Sequence, residues 1–484
     1  MTSSIQKTTF IVFLFLLISP YLYAQENNFD PQKKYHPDSL KYWTTSLFDE
    51  ISKAHPGFYS FTKKDRFDFL IDSTNQTIQK ELTELEFYRK LKPLIAQIGC
   101  LHTSISLSKE HQDYLDLTET MIPIEIFIDS NRKVFISKNY ASNLKLPIGS
   151  ELLSINGKPI NTIIKKLLNN IPSDGYNQTE KILLLDHRFA FWYQSIIEAN
   201  ETFIIEVSDK EKIQEFTLNG VSKEKLPSLE SIKGINKKAL EFKFIDNVAI
   251  LKINSFAKTD IKNSNQNFKK FIQEAFQEIQ SNGIQELIID LRYNTGGTDA
   301  NAAFLASYFF DQPFRYWDKI EVTEAIAKDV EGFERLFYKR PEKNEELYQW
   351  KKTWVTKEFD FYELQQPSKV NYNGSTYIIS NGLCLSSCAD FTAILSYNNK
   401  AVVVGQESGG GYQGNTSGMM PDFVISPGLR VTIPLHKYTN AVDLTKNFGR
   451  GTIPDHIIEP SFKEWINSND VEMDFTLNLL QKKL

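Results

Sequence analysis

Residues 286–298 read E-L-I-I-D-L-R-Y-N-T-G-G-T, an apolar strand-like run that ends in a pair of glycines. A short continuous apolar run is typical of a strand that is buried on both faces, as in a parallel sheet. Another strand-like run, V-A-I-L-K-I-N-S-F, comes before it at 248–256, and an amphipathic helical pattern at 268–279 lies between the two. This alternation predicts an α/β fold in which helices cover both faces of the sheet.

The two glycines, Gly296 and Gly297, stand where the predicted strand ends. Glycine allows a backbone to adopt a positive φ and to approach a ligand closely. A Gly-Gly pair is also common in plain strand-to-helix turns, so this turn does not indicate a binding site by itself.

A second strand-to-helix junction carries two adjacent serines. The run Y-I-I-S (377–380) is strand-like, and L-S-S-C-A-D-F (385–391) opens a segment with helical spacing. Serine is an ordinary N-cap residue, because its hydroxyl accepts from the free N–H groups of the first turn. A nucleophile in that turn would have the same N–H groups and the positive end of the helix dipole beside it. The junction alone leaves both interpretations open.

The order of the motifs is more specific than any one of them. D-L-R-x-N-x-G-G is followed about ninety residues later by S-x-x-acid-F, then by V-V-G-Q-E-S-G-G-G (403–411) and G-x-G-x-I-P-D-H (449–456). This order resembles the S41 peptidases, which are the tail-specific or C-terminal processing proteases and their tricorn-core relatives. The resemblance covers about residues 245–460 and implies a ClpP/crotonase-like α/β core. Because Asp390 fixes the register of the serine motif, it also implies that Ser387, and not Ser386, is the nucleophile.

The resemblance also bears on the general base. Bacterial processing proteases of this family use a lysine about twenty-five residues after the serine, but Tyr412 stands there and 401–436 contains no lysine. The tricorn-like branch uses a histidine in a short H-T motif, which His102 matches in I-G-C-L-H-T-S-I (98–105). A neutral imidazole is a suitable base for a hydroxyl near pH 7. Without this context, a lone histidine would be interpreted as a surface or capping residue.

Two further roles follow only from the resemblance. Asp443 lies at about the right distance after the serine to orient the base, although a solvated loop carboxylate is the alternative. The oxyanion hole would consist of backbone N–H groups, from Gly296 or Gly297 and from Cys388. No metal ion or organic cofactor is implied.

The first 24 residues are predicted to be a secretory signal peptide. Lys7 precedes the apolar stretch 10–18, which is too short to cross a bilayer comfortably, and Ala24 offers a cleavage point. An uncleaved anchor is the alternative. No later segment is long and apolar enough to cross a membrane, so the sequence predicts a periplasmic or secreted protein.

The rest of the chain divides into four predicted regions. Residues 27–115 have helical spacing, and 240–465 would form the peptidase core, followed by a C-terminal helix at 466–484. Residues 118–225 are β-rich and resemble a PDZ domain at I-G-S-E-L-L-S-I-N-G-K-P-I (148–160), with 161–200 as an insertion. A generic hairpin is the alternative to the PDZ interpretation.

Composition limits the partners. The net charge is −5 and there is no basic block, which argues against a nucleic-acid-binding protein. A peptide or protein is the expected substrate, and the strand-like run at 429–438 is a candidate for pairing with its backbone. The sequence does not indicate an oligomeric state. A non-catalytic binding protein on the same scaffold and an acyl-CoA enzyme of crotonase type remain as alternatives.

The three cysteines are Cys100, Cys384 and Cys388. If His102 and Ser387 meet, all three thiols must lie near one cleft. Two outcomes stay open: a Cys100–Cys384 disulfide that fixes the helical region against the core, and three buried reduced thiols.

Overall fold

The computed structural model describes residues 29–142, 146–227, 238–356 and 363–481, so the predicted signal peptide lies outside the described residues. The described α-helices, in chain order, are α1 (Pro37–Ala54), α2 (Lys64–Gln76), α3 (Glu84–Gln97), α4 (Lys109–Thr118), α5 (Ile160–Leu168), α6 (Thr179–Ile196), α7 (Lys258–Asn263), α8 (Phe268–Ser281), α9 (Asp299–Ala306), α10 (Glu324–Lys328), α11 (Ser387–Tyr397), α12 (Phe462–Ile466) and α13 (Val471–Gln481). Short 3₁₀-helices lie at Lys223–Lys225, Ser307–Phe309 and Gly332–Leu336.

The described strands, in chain order, are β1 (Lys34–Tyr35), β2 (Leu82–Thr83), β3 (Ser104–Ser106), β4 (Ile124–Ile128), β5 (Val134–Asn139), β6 (Glu151–Ile155), β7 (Lys158–Pro159), β8 (Thr202–Asp209), β9 (Lys212–Asn219), β10 (Leu240–Ile245), β11 (Val248–Ile253), β12 (Glu286–Asp290), β13 (Trp317–Val322), β14 (Glu342–Asn344), β15 (Leu347–Gln349), β16 (Ser375–Ser380), β17 (Val402–Gly405), β18 (Gly414–Ser417), β19 (Asp422–Ile425), β20 (Leu429–Thr432), β21 (His436–Asn440) and β22 (His456–Ile457).

Strand β12, the apolar run of the sequence, lies inside a six-stranded sheet of order β10-β11-β12-β16-β17-β22. All neighbours in this sheet are parallel except β10 and β11. Leu287 and Ile289 pack with apolar residues of α8, α9 and α11, whereas Ile288 packs on the other face with Leu480 of α13. Helices therefore cover both faces, and the predicted α/β class is confirmed.

A buried ion-pair network anchors the D-L-R motif. The Arg292 guanidinium donates to both oxygens of Asp290, at 3.0 and 2.9 Å, and to both oxygens of Asp470, at 2.7 and 2.9 Å. It also reaches Glu472 at 3.2 Å. Burial by itself would raise the pKa of Asp290, but the bonds to Arg292 hold it below its ordinary value. The network joins the end of β12 to the start of α13 and so fixes the glycine turn that follows.

The N-terminal half contains a helical part and a β-rich part. Helices α1 to α4 make up the first, and an antiparallel sheet of order β4-β5-β6-β8-β9, with β7 on β6, makes up the second. Helices α5 and α6 occupy the stretch that was expected to be an insertion. Buried residues of both parts and of β20 form one continuous apolar cluster. The domain boundaries and the PDZ-like label stay predictions.

Strand β3 joins this half to the core. It pairs antiparallel with β20, with Ile105 opposite Val431, in a three-stranded sheet whose third strand is β19. β20 is therefore paired along both edges, and β21 is likewise paired with β13 and β18. The expectation that 429–438 offers an open edge to a substrate is wrong, because its neighbours within the fold occupy both edges.

Within the described residues, no helix is long and apolar enough to cross a bilayer.

Removing Arg292 should destabilise the protein strongly. Arg292→Met leaves Asp290 buried without its main partner, so the free energy of unfolding should fall by about 3–5 kcal/mol. Lys252 lies 3.2 Å from the same carboxylate but is about one-third exposed, so Lys252→Met is the matched control and should cost about 1 kcal/mol or less. Urea denaturation of both variants measures the difference, and equal losses would show that Arg292 is not the anchor.

Candidate active site

The two serines lie in a sharp turn between β16 and α11. Ser386 has φ 52° and ψ −131°, a strained conformation for a residue with a side chain, and Ser387 is the first residue of the helix. The N–H of Leu385 donates to the carbonyl of Asn294 at 3.1 Å, which joins this turn to the glycine turn after β12. The strained residue is thus Ser386, which precedes the expected nucleophile Ser387.

Gly296 packs directly against the serine turn. Its φ is 90°, and a Cβ on it would lie 2.7 Å from the Leu385 carbonyl oxygen, 2.8 Å from Ser386 Cβ and 3.1 Å from Ser387 N. Any side chain here would therefore displace the backbone that carries both serines. The glycine turn predicted from the sequence is a close contact between two backbone segments.

The hydroxyl of Ser387 is buried and has no hydrogen-bond partner among the described residues. An unpaired buried hydroxyl costs free energy, so such a group is expected where a substrate or a moving side chain supplies its hydrogen bond.

Of the three amides expected to hold an oxyanion, that of Gly296 donates to Asn294 Oδ1 at 2.9 Å and that of Cys388 to the Leu385 carbonyl at 3.0 Å. The described residues show no such bond for the Gly297 amide, which makes it the available donor of the three.

Asp390 ties the helix of Ser387 to two neighbouring strands. Its buried carboxylate accepts from Asn415 Nδ2 on β18 at 3.2 Å and from Asn440 Nδ2 on β21 at 3.0 Å. Burial and the nearby Asp299 raise the pKa of Asp390 to about 8, against the opposing effect of the amide donors. The acid of the serine motif is thus a positioning group that fixes α11 against β18.

Strand β18 also contacts the segment that carries His102. The thiol of Cys100 donates to the carbonyl of Thr416 at 3.4 Å, and the Thr416 backbone also acts on the imidazole of His102. Thr416 is next to Asn415, which bonds to Asp390 on the helix of Ser387. Hydrogen bonds therefore tie both the histidine segment and the serine helix to one short strand.

His102 is neutral at physiological pH. Burial lowers the pKa of His102 to about 4, and the nearby Thr416 backbone offsets only part of this effect. Its Nδ1 is buried and has no partner among the described residues. The Ser387 hydroxyl and His102 Nδ1 are thus both unpaired, and no hydrogen bond joins the two residues in this conformation.

Asp174 was not singled out in the sequence, but it holds the histidine segment in place. Its two carboxylate oxygens accept from the N–H of Leu101 and the N–H of Gly411, both at 3.1 Å. Burial raises the pKa of Asp174 to about 6, and the two N–H groups work against that rise. The neighbouring Gly410 packs on the serine turn, since a Cβ on it would lie 2.9 Å from Ser386 N. The only sequence signal was the polar turn at 172–177, within the expected insertion.

Asp443 lies in a loop, where its carboxylate accepts from the backbone N–H of Thr445 at 2.9 Å and from the Thr445 hydroxyl at 2.7 Å. These bonds make a local turn. Its role in orienting the base stays a prediction.

All three cysteines are buried free thiols, so the Cys100–Cys384 bridge is not formed. Cys384 Sγ lies 2.7 Å from Cys388 Sγ, and Cys100 faces Thr416 instead.

A cavity of about 280 Å³ opens beside the histidine segment. Cys100 and Asp174 line it together with Gly411, Thr416 and Lys437. A space of this size, with backbone groups in its wall, can admit a side chain or a short peptide segment.

The ionisation of His102 can be checked directly. The imidazole should titrate well below 6.5, because burial disfavours its charged form. Histidine NMR spectra recorded against pH, with the His102 signal assigned by its loss in His102→Gln, measure this pKa. An ordinary value would mean that the ring is solvated and not packed in the cleft.

The fold and the motifs agree with known proteins. Residues 247–458 match the model of peptidase family S41, which is nearly the segment that carries the ordered motifs. The structure of mature CPAF complexed with lactacystin superposes with a TM-score of 0.63 at 13% identity, over 92% of this chain and 98% of that chain. A crystal structure of mature CPAF gives a TM-score of 0.60 at 13% identity, over 90% of this chain and 99% of that chain. At such low identity these two structures show a shared fold. The segment 247–458, with its serine at the start of a helix beside the glycine turn, therefore matches peptidase family S41 and is similar to a serine-type peptidase core.

Proposed function

We propose that the chain is an exported serine endopeptidase that forms an acyl-enzyme on Ser387, with His102 as the general base. The observation that carries this proposal is the buried Ser387 hydroxyl at the start of α11, which has no hydrogen-bond partner in the described part of the chain and lies beside Gly296. Export rests on the N-terminal signal sequence alone.

The chemistry requires three roles. The Ser387 hydroxyl attacks a peptide carbonyl while the neutral imidazole of His102 accepts its proton. The Gly297 N–H and the positive end of the helix stabilise the oxyanion that forms. His102 then returns the proton to the leaving amine, and water releases the acyl group from Ser387.

The Ser–His hydrogen bond has to form when a substrate binds. In the present conformation both atoms are unpaired, and catalytic hydrogen bonds are often long or absent until a substrate is bound. Both segments are already fixed to β18, through Asp390 on one side and Thr416 on the other. The proposal needs a movement that brings the His102 ring and the Ser387 hydroxyl within hydrogen-bond distance.

One observation favours a second candidate, a non-catalytic peptide-binding protein on the same scaffold. The Ser387 and His102 side chains are not hydrogen-bonded to each other, so a chain that never assembles the pair is conceivable on geometry alone. Such a protein would bind peptides in the cavity and would not react with a fluorophosphonate.

The two serines give the sharpest test. Ser387→Ala should abolish both peptide hydrolysis and fluorophosphonate labelling, because it removes the attacking oxygen. Ser386→Ala is the matched control and should reduce activity only modestly, since its side chain is not required for attack. Hydrolysis of a casein substrate and a labelling gel measure the two effects. The reverse pattern would assign the nucleophile to Ser386, and an unlabelled but folded wild-type chain would favour the binding protein.

The glycine turn can be tested without touching the serines. Gly296→Ala would push the serine turn away, so kcat should fall by about 10²–10³, the usual cost of a damaged oxyanion site. Gly283→Ala is the matched control, because Gly283 also has a positive φ of 65° but a Cβ there would meet nothing within 4 Å. Gly283→Ala should keep nearly full activity. If both variants lose activity equally, backbone strain and not contact with the serine turn is responsible.

A further inference from the structure

Three different ligand types meet beside the cavity, and two of them, from Cys100 and Asp174, line it. The Cys100 sulfur, one His102 nitrogen and one Asp174 oxygen all lie within 4.8 Å of one another. Asp174 lies between α5 and α6, and Cys100 and His102 lie in the segment before β3. The cluster therefore exists only in the folded chain. We propose that this cluster is a zinc site, and that Zn²⁺ bound there inhibits the peptidase.

The donor set selects the metal. A thiolate, an imidazole and a carboxylate are the ligands that Zn²⁺ takes in proteins, whereas Mg²⁺ and Ca²⁺ prefer oxygen ligands alone. Tetrahedral zinc with bonds of about 2.0–2.3 Å places its ligand atoms about 3.3–3.8 Å apart. The three atoms, which lie within 4.8 Å of one another, therefore need to approach each other by about 1.5 Å at most, and water would fill the fourth position.

The carboxylate is held ready for a metal. The N–H groups of Leu101 and Gly411 each bond one oxygen of Asp174, and each oxygen keeps another lone pair. Such outer hydrogen bonds orient metal ligands and raise affinity in known sites. The same two bonds fix Asp174 relative to Cys100, which is next to Leu101.

The imidazole and the thiol are available as well. The Nδ1 of His102 has no hydrogen-bond partner among the described residues, so no existing bond has to break before it binds a metal. The thiol proton of Cys100 bonds only weakly to the Thr416 carbonyl, at 3.4 Å. When Zn²⁺ binds, the Cys100 S–H bond breaks, the sulfur–zinc bond forms and the proton passes to solvent. The ligands from His102 and Asp174 supply lone pairs without losing a proton.

The cavity supplies the way in. Cys100 and Asp174 both line the space of about 280 Å³, so an ion in the cavity would meet these two ligands. The other two thiols, those of Cys384 and Cys388, lie next to each other and are completely buried. They therefore serve as the control for metal binding by a thiol outside the proposed site.

Inhibition follows from the role of His102, and this step rests on the proposed function. A nitrogen that is bound to zinc has no lone pair left to take the serine proton. The ion would also hold the ring towards Asp174. Zinc would therefore act on the base and leave Ser387 itself unmodified.

Binding is measured on the full chain that carries Ser387→Ala, so that it does not depend on peptidase activity. Co²⁺ replaces zinc as a spectroscopic probe, because a thiolate ligand gives a charge-transfer absorption band. One ion per chain is expected, with that band, and Zn²⁺ should displace the cobalt. Adding Cys100→Ser should remove the band and weaken Zn²⁺ binding at least tenfold. Adding Asp174→Asn should also weaken Zn²⁺ binding at least tenfold.

The control is a variant of a thiol outside the proposed site. Adding Cys384→Ser should leave both the band and the affinity unchanged, and circular dichroism checks that each variant is folded. Absence of stoichiometric binding, or a band that survives Cys100→Ser and disappears with Cys384→Ser, would overturn the site.

Inhibition is measured separately on the wild-type chain. Zn²⁺ should stop peptide hydrolysis, EDTA should restore it, and Cys100→Ser should raise the inhibitory concentration at least tenfold. If Zn²⁺ binds through Cys100 and hydrolysis continues, the zinc site stands, and the inhibitory role and His102 as the base are both refuted.

Discussion

The pairing of β3 with β20 is the contact on which the active site depends. His102 and Ser387 are about 285 positions apart in the chain, and β3 begins two residues after His102. Closing so long a loop is entropically costly, so local structure could not bring the two residues together. The paired backbones of Ile105 and Val431 fix the direction of the segment. Thr416 and Asp174 then set its position on the core.

The site contains buried titratable groups that are held by hydrogen bonds from amide groups or kept neutral by burial. Asp390 is held by two asparagine side chains, Asp174 by two backbone N–H groups, and His102 is kept neutral by burial. A neutral imidazole can accept a proton, and the hydrogen-bonded acids Asp390 and Asp174 hold strands and turns in register. Most of these buried groups therefore hold backbone segments in position, and His102 is the group that can transfer a proton.

Local features were predictable from the sequence. The apolar run at 286–290 formed the expected buried strand, and the expected helix begins at Ser387, because both follow from periodicity over a few residues. Gly296 was expected to allow close backbone approach, and it does so against the serine turn. These features depend on short stretches of chain, where sequence pattern and structure are closely related.

Long-range partners were not predictable in the same way. Asp174 lies in a stretch that had no family counterpart, and its contacts with Leu101 and Gly411 join distant parts of the chain. The strand at 429–432 was recognised as a strand, but the pattern did not show that β3 and β19 occupy its two edges. Periodicity identifies a strand and gives no information on its neighbours.

A crystal structure of the chain after reaction with a fluorophosphonate tests the central claim most directly. The account predicts a phosphorus–oxygen bond to Ser387 Oγ, a phosphoryl oxygen hydrogen-bonded to the Gly297 N–H, and a His102 nitrogen within about 3 Å of the adduct. An adduct on Ser386, or one on Ser387 with His102 still directed away from it, would contradict the account.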